Sequence, residues 1–175
     1  MKAINNATTG AIVLATSTSE ALSGDGTDLA AALAGTINYT GDVTVTDNAY
    51  TIAELVAINA GTTGEITLTS AGVALSGTVA DIKAAFAGTV TEHTGTLEIS
   101  DAGTTDITAT DITDINGTNT GTITVTNTID INGSGSEVEA AFAAIDTNTG
   151  NATANITGNN YTIAQLKAIN AATTG

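Results

Sequence analysis

The large apolar residues of this chain recur at a long period with a short one nested inside it. An anchor Leu, Ile or Val at Leu29, Leu55, Ile82, Ile112, Val138 and Leu166 follows an Asp, Glu or Gln each time, at spacings of 26, 27, 30, 26 and 28 residues. A second large apolar residue comes four residues later at Leu33, Phe86 and Phe142, and three later at Ile58, Ile115 and Ile169. Offsets of three and four return to one face of a helix, and the alanines between them favour that conformation. A glycine soon after, as at Gly35, Gly61, Gly88 and Gly117, predicts the stop. The starts carry the spacing of a capping box, in which a hydroxyl or carboxylate accepts a backbone N–H three residues on while the later side chain reaches back. The pairs are Asp25/Asp28, Thr51/Glu54, Thr78/Asp81, Thr108/Asp111, Ser134/Glu137 and Thr162/Gln165. Six short helices are therefore predicted, starting near Asp28, Glu54, Asp81, Asp111, Glu137 and Gln165.

Between the helices the period changes to two. A glycine precedes alternating segments at Ile12/Leu14, Val43/Val45, Ile66/Leu68, Leu97/Ile99, Ile123/Val125 and, more weakly, Ala152/Ala154. Alternation with threonine between apolar residues predicts strands buried on one face. A further apolar element follows at Ala21–Gly24, Ala74–Gly77 and Ile129–Gly133, a strand or a turn, with Ser23, Ser76 and Ser134 read as turn residues. In the alternate coils Tyr50 and Tyr161 occupy one column at the strand-to-helix corner.

One strand and one helix per coil of about 27 residues cannot bury their own apolar faces, but stacked coils can. The pattern predicts an α/β repeat solenoid over residues 1–175, a single segment of about six coils with one parallel sheet as a wall and the helices as the other. A parallel β-helix is the alternative, and it would force the alanine-rich stretch Asp28–Ala34 into a strand. Lys2–Gly10 and Lys167–Gly175 share one phase, which reads as an excerpt of a longer tandem array with core residues open at its ends, Ile4 and Ile12 at one and Leu166 and Ile169 at the other. Head-to-tail self-association is the expected consequence.

Composition narrows the chemistry. Thr, Ala and Gly fill 87 of 175 positions, and 18 acids face three lysines and no arginine, for a net charge of −15. Such a surface has nothing to replace the counterions of nucleic acid. No apolar run is long enough to cross a membrane as a helix, so no insertion is expected. Without cysteine there is no disulfide or thiolate chemistry. Calcium is the one cofactor the carboxylates bring to mind, at Gly24–Asp28 or around Asp106, Asp111 and Asp114, but neither stretch matches a known calcium loop, and capping accounts for six of the 18 carboxylates. The single histidine, His93, sits in a loop with no second histidine and is expected to be solvated. No catalytic constellation emerges, and a non-enzymatic role is expected. The outward strand positions Thr44, Thr46, Thr67, Thr69, Thr124 and Thr126 predict a threonine-dominated face, interrupted at Glu98, that could meet glycan, another surface or ice.

The run Gly64–Thr69, Ala74–Gly77 and Asp81–Gly88 resembles the Thr/Ala/Gly/Asp-rich tandem repeats of giant bacterial exoproteins, cell-surface proteins of marine cyanobacteria and large adhesins among them. The resemblance implies a structural spacer or scaffold in a secreted or surface-displayed protein, with neighbouring repeats as its partners. The alternative is a binding module that uses the threonine face.

Overall fold

Helices form where the anchors and caps place them. The computed structural model describes residues 2–10, 12, 20–35 and 39–173. Its helices are α1 (Lys2–Asn6), α2 (Gly26–Leu33), α3 (Ile52–Gly61), α4 (Val79–Ala85), α5 (Ala109–Thr118), α6 (Gly135–Ala144) and α7 (Ile163–Ala172). All six predicted helices are present, and the anchors Leu29, Leu55, Ile82, Ile112 and Val138 are buried on them.

The capping boxes divide by the length of one side chain. Where Glu or Gln stands at the third helical position the box closes both ways, at Thr51/Glu54, Ser134/Glu137 and Thr162/Gln165. Where Asp stands there it does not. Asp25 and Thr78 accept from the backbone N–H of Asp28 and Asp81, at 2.7 and 3.1 Å. Thr108 makes no side-chain cap bond, its hydroxyl lying instead 3.3 Å from that of Thr110. Aspartate is one methylene too short to return to the cap residue's own N–H, and at Thr108/Asp111 the forward bond is missing as well, so the predicted box there is corrected to a start without a side-chain cap bond. Thr51→Ala should therefore cost about 1 kcal/mol and Thr108→Ala only a few tenths, read as shifts in denaturant midpoint; equal losses would contradict the assignment.

Two of the four predicted glycine stops hold. Gly35 and Gly88 have φ of 86° and 74°, left-handed values that end the helix before them. Gly61 and Gly117 instead take helical places, as the last residue of α3 and the last but one of α5, so each helix ends at or next to its glycine without a left-handed turn there.

The strands are β1 (Leu22–Gly24), β2 (Val43–Val45), β3 (Ile66–Leu68), β4 (Leu75–Gly77), β5 (Leu97–Ile99), β6 (Asp106–Thr108), β7 (Ile123–Val125), β8 (Asp130–Gly133), β9 (Thr147–Asn148) and β10 (Thr153–Ile156). They make an α/β protein in which every strand pair is parallel, but not one sheet wall. Three sheets form instead, in the orders β1-β2-β3, β4-β5-β7-β9 and β6-β8-β10. The correction has a clear cause. The second apolar element is itself a strand, so Ser23 and Ser76 lie in β1 and β4 rather than in turns, and Ser134 caps α6. Paired residues lie 21 to 26 apart in sequence, from Leu22 with Val43 to Leu97 with Ile123. Ala152/Ala154 accordingly falls beside and within β10, which pairs with β8, while β9 takes the place expected for it beside β7. Leu14 lies outside the described residues. Of the core residues expected to be open, Ile4 and Leu166 are exposed, but Ile12 is only half-exposed and Ile169 is buried.

The chain divides into two compact units, Met1–Val73 with Ala84–His93, and Ala74–Lys83 with Thr94–Gly175. In the first, α2 lies between α1 and α3, and Leu29, Leu33, Val43, Val45, Leu55 and Ile66 are buried. In the second, α6 lies between α5 and α7, over a core that includes Leu97, Ile99, Ile112, Ile123, Ile131 and Val138. The four central strands β2, β3, β5 and β7 each bury their first and third residues and leave the middle one half-exposed, as alternation predicts.

Candidate functional site

The buried polar side chains occupy one column. Thr62, His93 and Asn119 are buried, and each is followed by Thr-Gly; so is the buried Tyr39. The position precedes a central strand in every case, and its side chain is bonded to backbone. Thr62 Oγ1 donates to the Gly41 carbonyl at 2.7 Å and accepts from Gly64 N–H. Asn119 closes a small ring with Gly121, accepting its N–H and donating to its carbonyl. The Tyr39 hydroxyl donates to the carbonyls of Glu20 and Asp42. Burial raises the Tyr39 phenol above its ordinary range. His93 belongs to this set. Its Nε2 lies 2.7 Å from the Val73 carbonyl and its ring is 5.5 Å from that of Phe86, so it is fully buried rather than solvated. The sequence signal was the repeated x-Thr-Gly, hidden because x is Tyr, Thr, His or Asn; the four types share only the ability to bond backbone.

The carboxylates are engaged in a similar way. Asp47 accepts from Gly26 N–H at 3.0 Å and Asp101 from Val79 N–H at 2.8 Å, each serving the first residue of a helix that lies earlier in the chain. Glu54 closes its own box and also accepts from the Thr27 hydroxyl at 2.6 Å. Burial alone would raise its acid range, but bonds from the Thr27 hydroxyl and from Thr51 N–H and hydroxyl hold it below the ordinary glutamate value. Lys83 Nζ bridges Asp111 at 2.5 Å and Asp114 at 2.9 Å. That pairing lowers Asp111 and raises Lys83 from their usual values. Asp106 accepts from the Asn132 amide. Among the described residues no group of three or more His, Asp or Glu is placed to hold a metal ion. Of the residues suggested for calcium, Asp25 and Asp28 share a helix start, Asp111 and Asp114 share a lysine, and Asp106 meets an amide.

The threonine positions fall into two groups. Thr44 and Thr67 are register partners in β2 and β3, with Ser23 continuing the row on β1, all in the first unit. Thr124 is flanked by Glu98 and Thr147 in the second unit. The outer rank is partly internally bonded: Thr69 Oγ1 donates to the Val45 carbonyl at 3.0 Å and Thr126 Oγ1 to Glu98 Oε1 at 2.7 Å. Thr46, Thr69 and Thr126 are exposed. A groove of about 340 Å³, lined by Thr108, Thr110, Asn132, Gly133, Glu137 and Thr157, opens in the second unit. No strong nucleophile and base share it.

Compared with protein-family models, with curated proteins and with solved structures, the chain matches none. Among the described residues no helix is long and apolar enough to cross a membrane.

Proposed function

We propose that this chain is a non-enzymatic structural segment, a spacer or scaffold of a large secreted or cell-surface protein, built as an α/β solenoid whose partners are neighbouring coils of the same kind. The observation that carries the reading is the use to which polar groups are put. Buried hydroxyl, imidazole and amide groups at Thr62, His93 and Asn119, and the carboxylates of Asp47 and Asp101, bond backbone within the fold instead of converging on a solvent-filled site. Such an arrangement lends itself to repetition, since each coil then completes its neighbour. The resemblance to tandem repeats of bacterial exoproteins points the same way.

The second reading is a binding module. Exposed Thr46, Thr69 and Thr126 and the groove beside Asn132 favour an uncharged, hydroxyl-rich polymer over an anion, because the chain carries −15. The two are separated by retention of the protein on immobilised polysaccharides and by ice-crystal shaping. The scaffold reading expects neither. Retention that is lost in Thr46→Lys and Thr69→Lys, with the circular dichroism unchanged, would replace it with the binding reading.

A further inference from the structure

Asparagine followed by glycine occurs twice, in nearly the same setting: Ile115-Asn116-Gly117-Thr118 and Ile131-Asn132-Gly133-Ser134. In such a pair the glycine nitrogen can attack the asparagine Cγ, because no Cβ obstructs the approach. With isoleucine before and a hydroxyl residue after, the two sites have matched intrinsic reactivity. Both lie in the second unit, and the fold holds them very differently.

Asn132 is held at both ends of its amide. It stands in β8, the middle strand of the sheet β6-β8-β10. Its Nδ2 donates to Asp106 Oδ1 at 3.0 Å and to the Asp130 carbonyl at 3.1 Å, and its Oδ1 accepts from Asn155 Nδ2 at 2.5 Å. Gly133 is fixed as well, its carbonyl accepting from Thr157 N–H at 2.8 Å. Turning Cγ onto the Gly133 nitrogen would break the amide's bonds and disturb both neighbouring strands.

Asn116 has none of these restraints. It is exposed in the last turn of α5, and among the described residues nothing bonds its amide. Gly117 is exposed too, with nothing within 4 Å of its Cβ position. The same place in α3 offers a comparison. Asn59 follows the buried Ile58 as Asn116 follows the buried Ile115, but its Nδ2 donates to the carbonyls of Ala84, Ala85 and Ala87 at 2.8, 3.3 and 2.7 Å, and alanine stands after it. In α3 the amide is put to structural use; in α5 it is left to solvent. The remaining restraint is the helical bond of Gly117 N–H, at a residue whose helix propensity is about 1 kcal/mol below that of alanine. Helix ends open at lower cost than the middle of a sheet.

We propose that Asn116 is a site of spontaneous covalent modification, converted through a cyclic imide with Gly117 to aspartate and isoaspartate, while the sheet preserves Asn132. Gly117 N–H gives its proton to hydroxide or buffer base, and the nitrogen bonds to Asn116 Cγ. The Cγ–Nδ2 bond then breaks, and ammonia leaves with a proton taken from water. Water adds at either imide carbonyl and opens the ring, so the net change is loss of ammonia and gain of water, with no oxidant or reductant. Each product sets a carboxylate at the C-terminal end of α5, where the helix dipole disfavours it. Isoaspartate also lengthens the backbone by a methylene and cannot keep the last turn. The argument uses the packing of one unit and is independent of the scaffold reading.

Incubation of the folded chain at mildly alkaline pH, with site-resolved peptide mass spectrometry and enzymatic methylation to detect isoaspartate, tests the assignment. Conversion at Asn116 is expected to run about tenfold or more ahead of that at Asn132. In urea, where the matched sequences are both released, the two rates are expected to converge. Gly117→Ala is expected to suppress conversion at Asn116 and leave the Asn132 rate unchanged, with the circular dichroism retained. Conversion in the folded chain as fast at Asn132 as at Asn116, an Asn116 that stays intact while the chain in urea reacts, a rate difference that persists in urea, or an Asn116 rate indifferent to Gly117→Ala would each overturn the proposal.

Discussion

Replacing Gly64 or Gly121 by alanine will destabilise its unit by about 3 kcal/mol or more, the upper range for overpacking, because a methyl group there meets backbone that cannot turn aside. A Cβ at Gly64 would overlap the Gly41 carbonyl, and one at Gly121 would overlap that of Gly95. Each of these is a glycine ahead of a central strand facing another glycine ahead of the paired strand. Relief would require parting strands that lie about 4.8 Å apart, with loss of ladder bonds. Gly117→Ala is the internal control. It lies within α5 with nothing within 4 Å of its Cβ position, so the helix propensity of alanine should stabilise by about 0.5–1 kcal/mol. Opposite signs in denaturant unfolding are expected; losses of similar size in all three would show that glycine here serves flexibility and not close approach.

Tyr50→Ala will cost about 3–5 kcal/mol, as for other large core aromatics, while Tyr161→Ala in the matching position will cost under about 1 kcal/mol. The Tyr50 ring is buried and its hydroxyl bonded to Ser70; the Tyr161 ring is half exposed. The same contrast has a pH signature. Burial, and then the charge of Asp47, push the Tyr50 phenol from 10.0 up to about 12. A group whose folded value is raised stabilises the fold fully below its unfolded value, and that contribution is lost as pH rises through the interval. Stability should therefore fall between pH 10 and about 12, and Tyr50→Phe should remove much of that slope. A slope unchanged in Tyr50→Phe would place the alkaline transition elsewhere.

Local signals made the helices legible and left the sheets obscure. A cap, an anchor and its partner lie within eight or so residues, so Thr51, Glu54, Leu55 and Ile58 report one helix without reference to the rest of the chain. Strand pairing is different, because Leu75–Gly77 reads equally as a strand or a turn until its ladder to Leu97–Ile99 is known. The alternation at Ile123/Val125 identified a strand but not which sheet it would join. His93 was misjudged for a related reason: a lone polar residue in a loop is ordinarily solvated, and only its place beside Thr62 and Asn119 in the x-Thr-Gly column marks it as interior. Of the threonine positions, Thr46, Thr69 and Thr126 are exposed and Thr44, Thr67 and Thr124 half-exposed, and Thr69 and Thr126 donate their hydroxyls inward or sideways, a choice that alternation does not encode.

Asp47 and Asp101 give the chain an order of assembly. Each bonds the first N–H of a helix some twenty residues before it, Asp47 that of Gly26 and Asp101 that of Val79. A ribosome delivers the helix first and its cap later, so α2 emerges with that amide unsatisfied until Asp47 has followed it. Synthesis from the N-terminus therefore leaves the first N–H of α2 and of α4 each without this partner until some twenty further residues have followed.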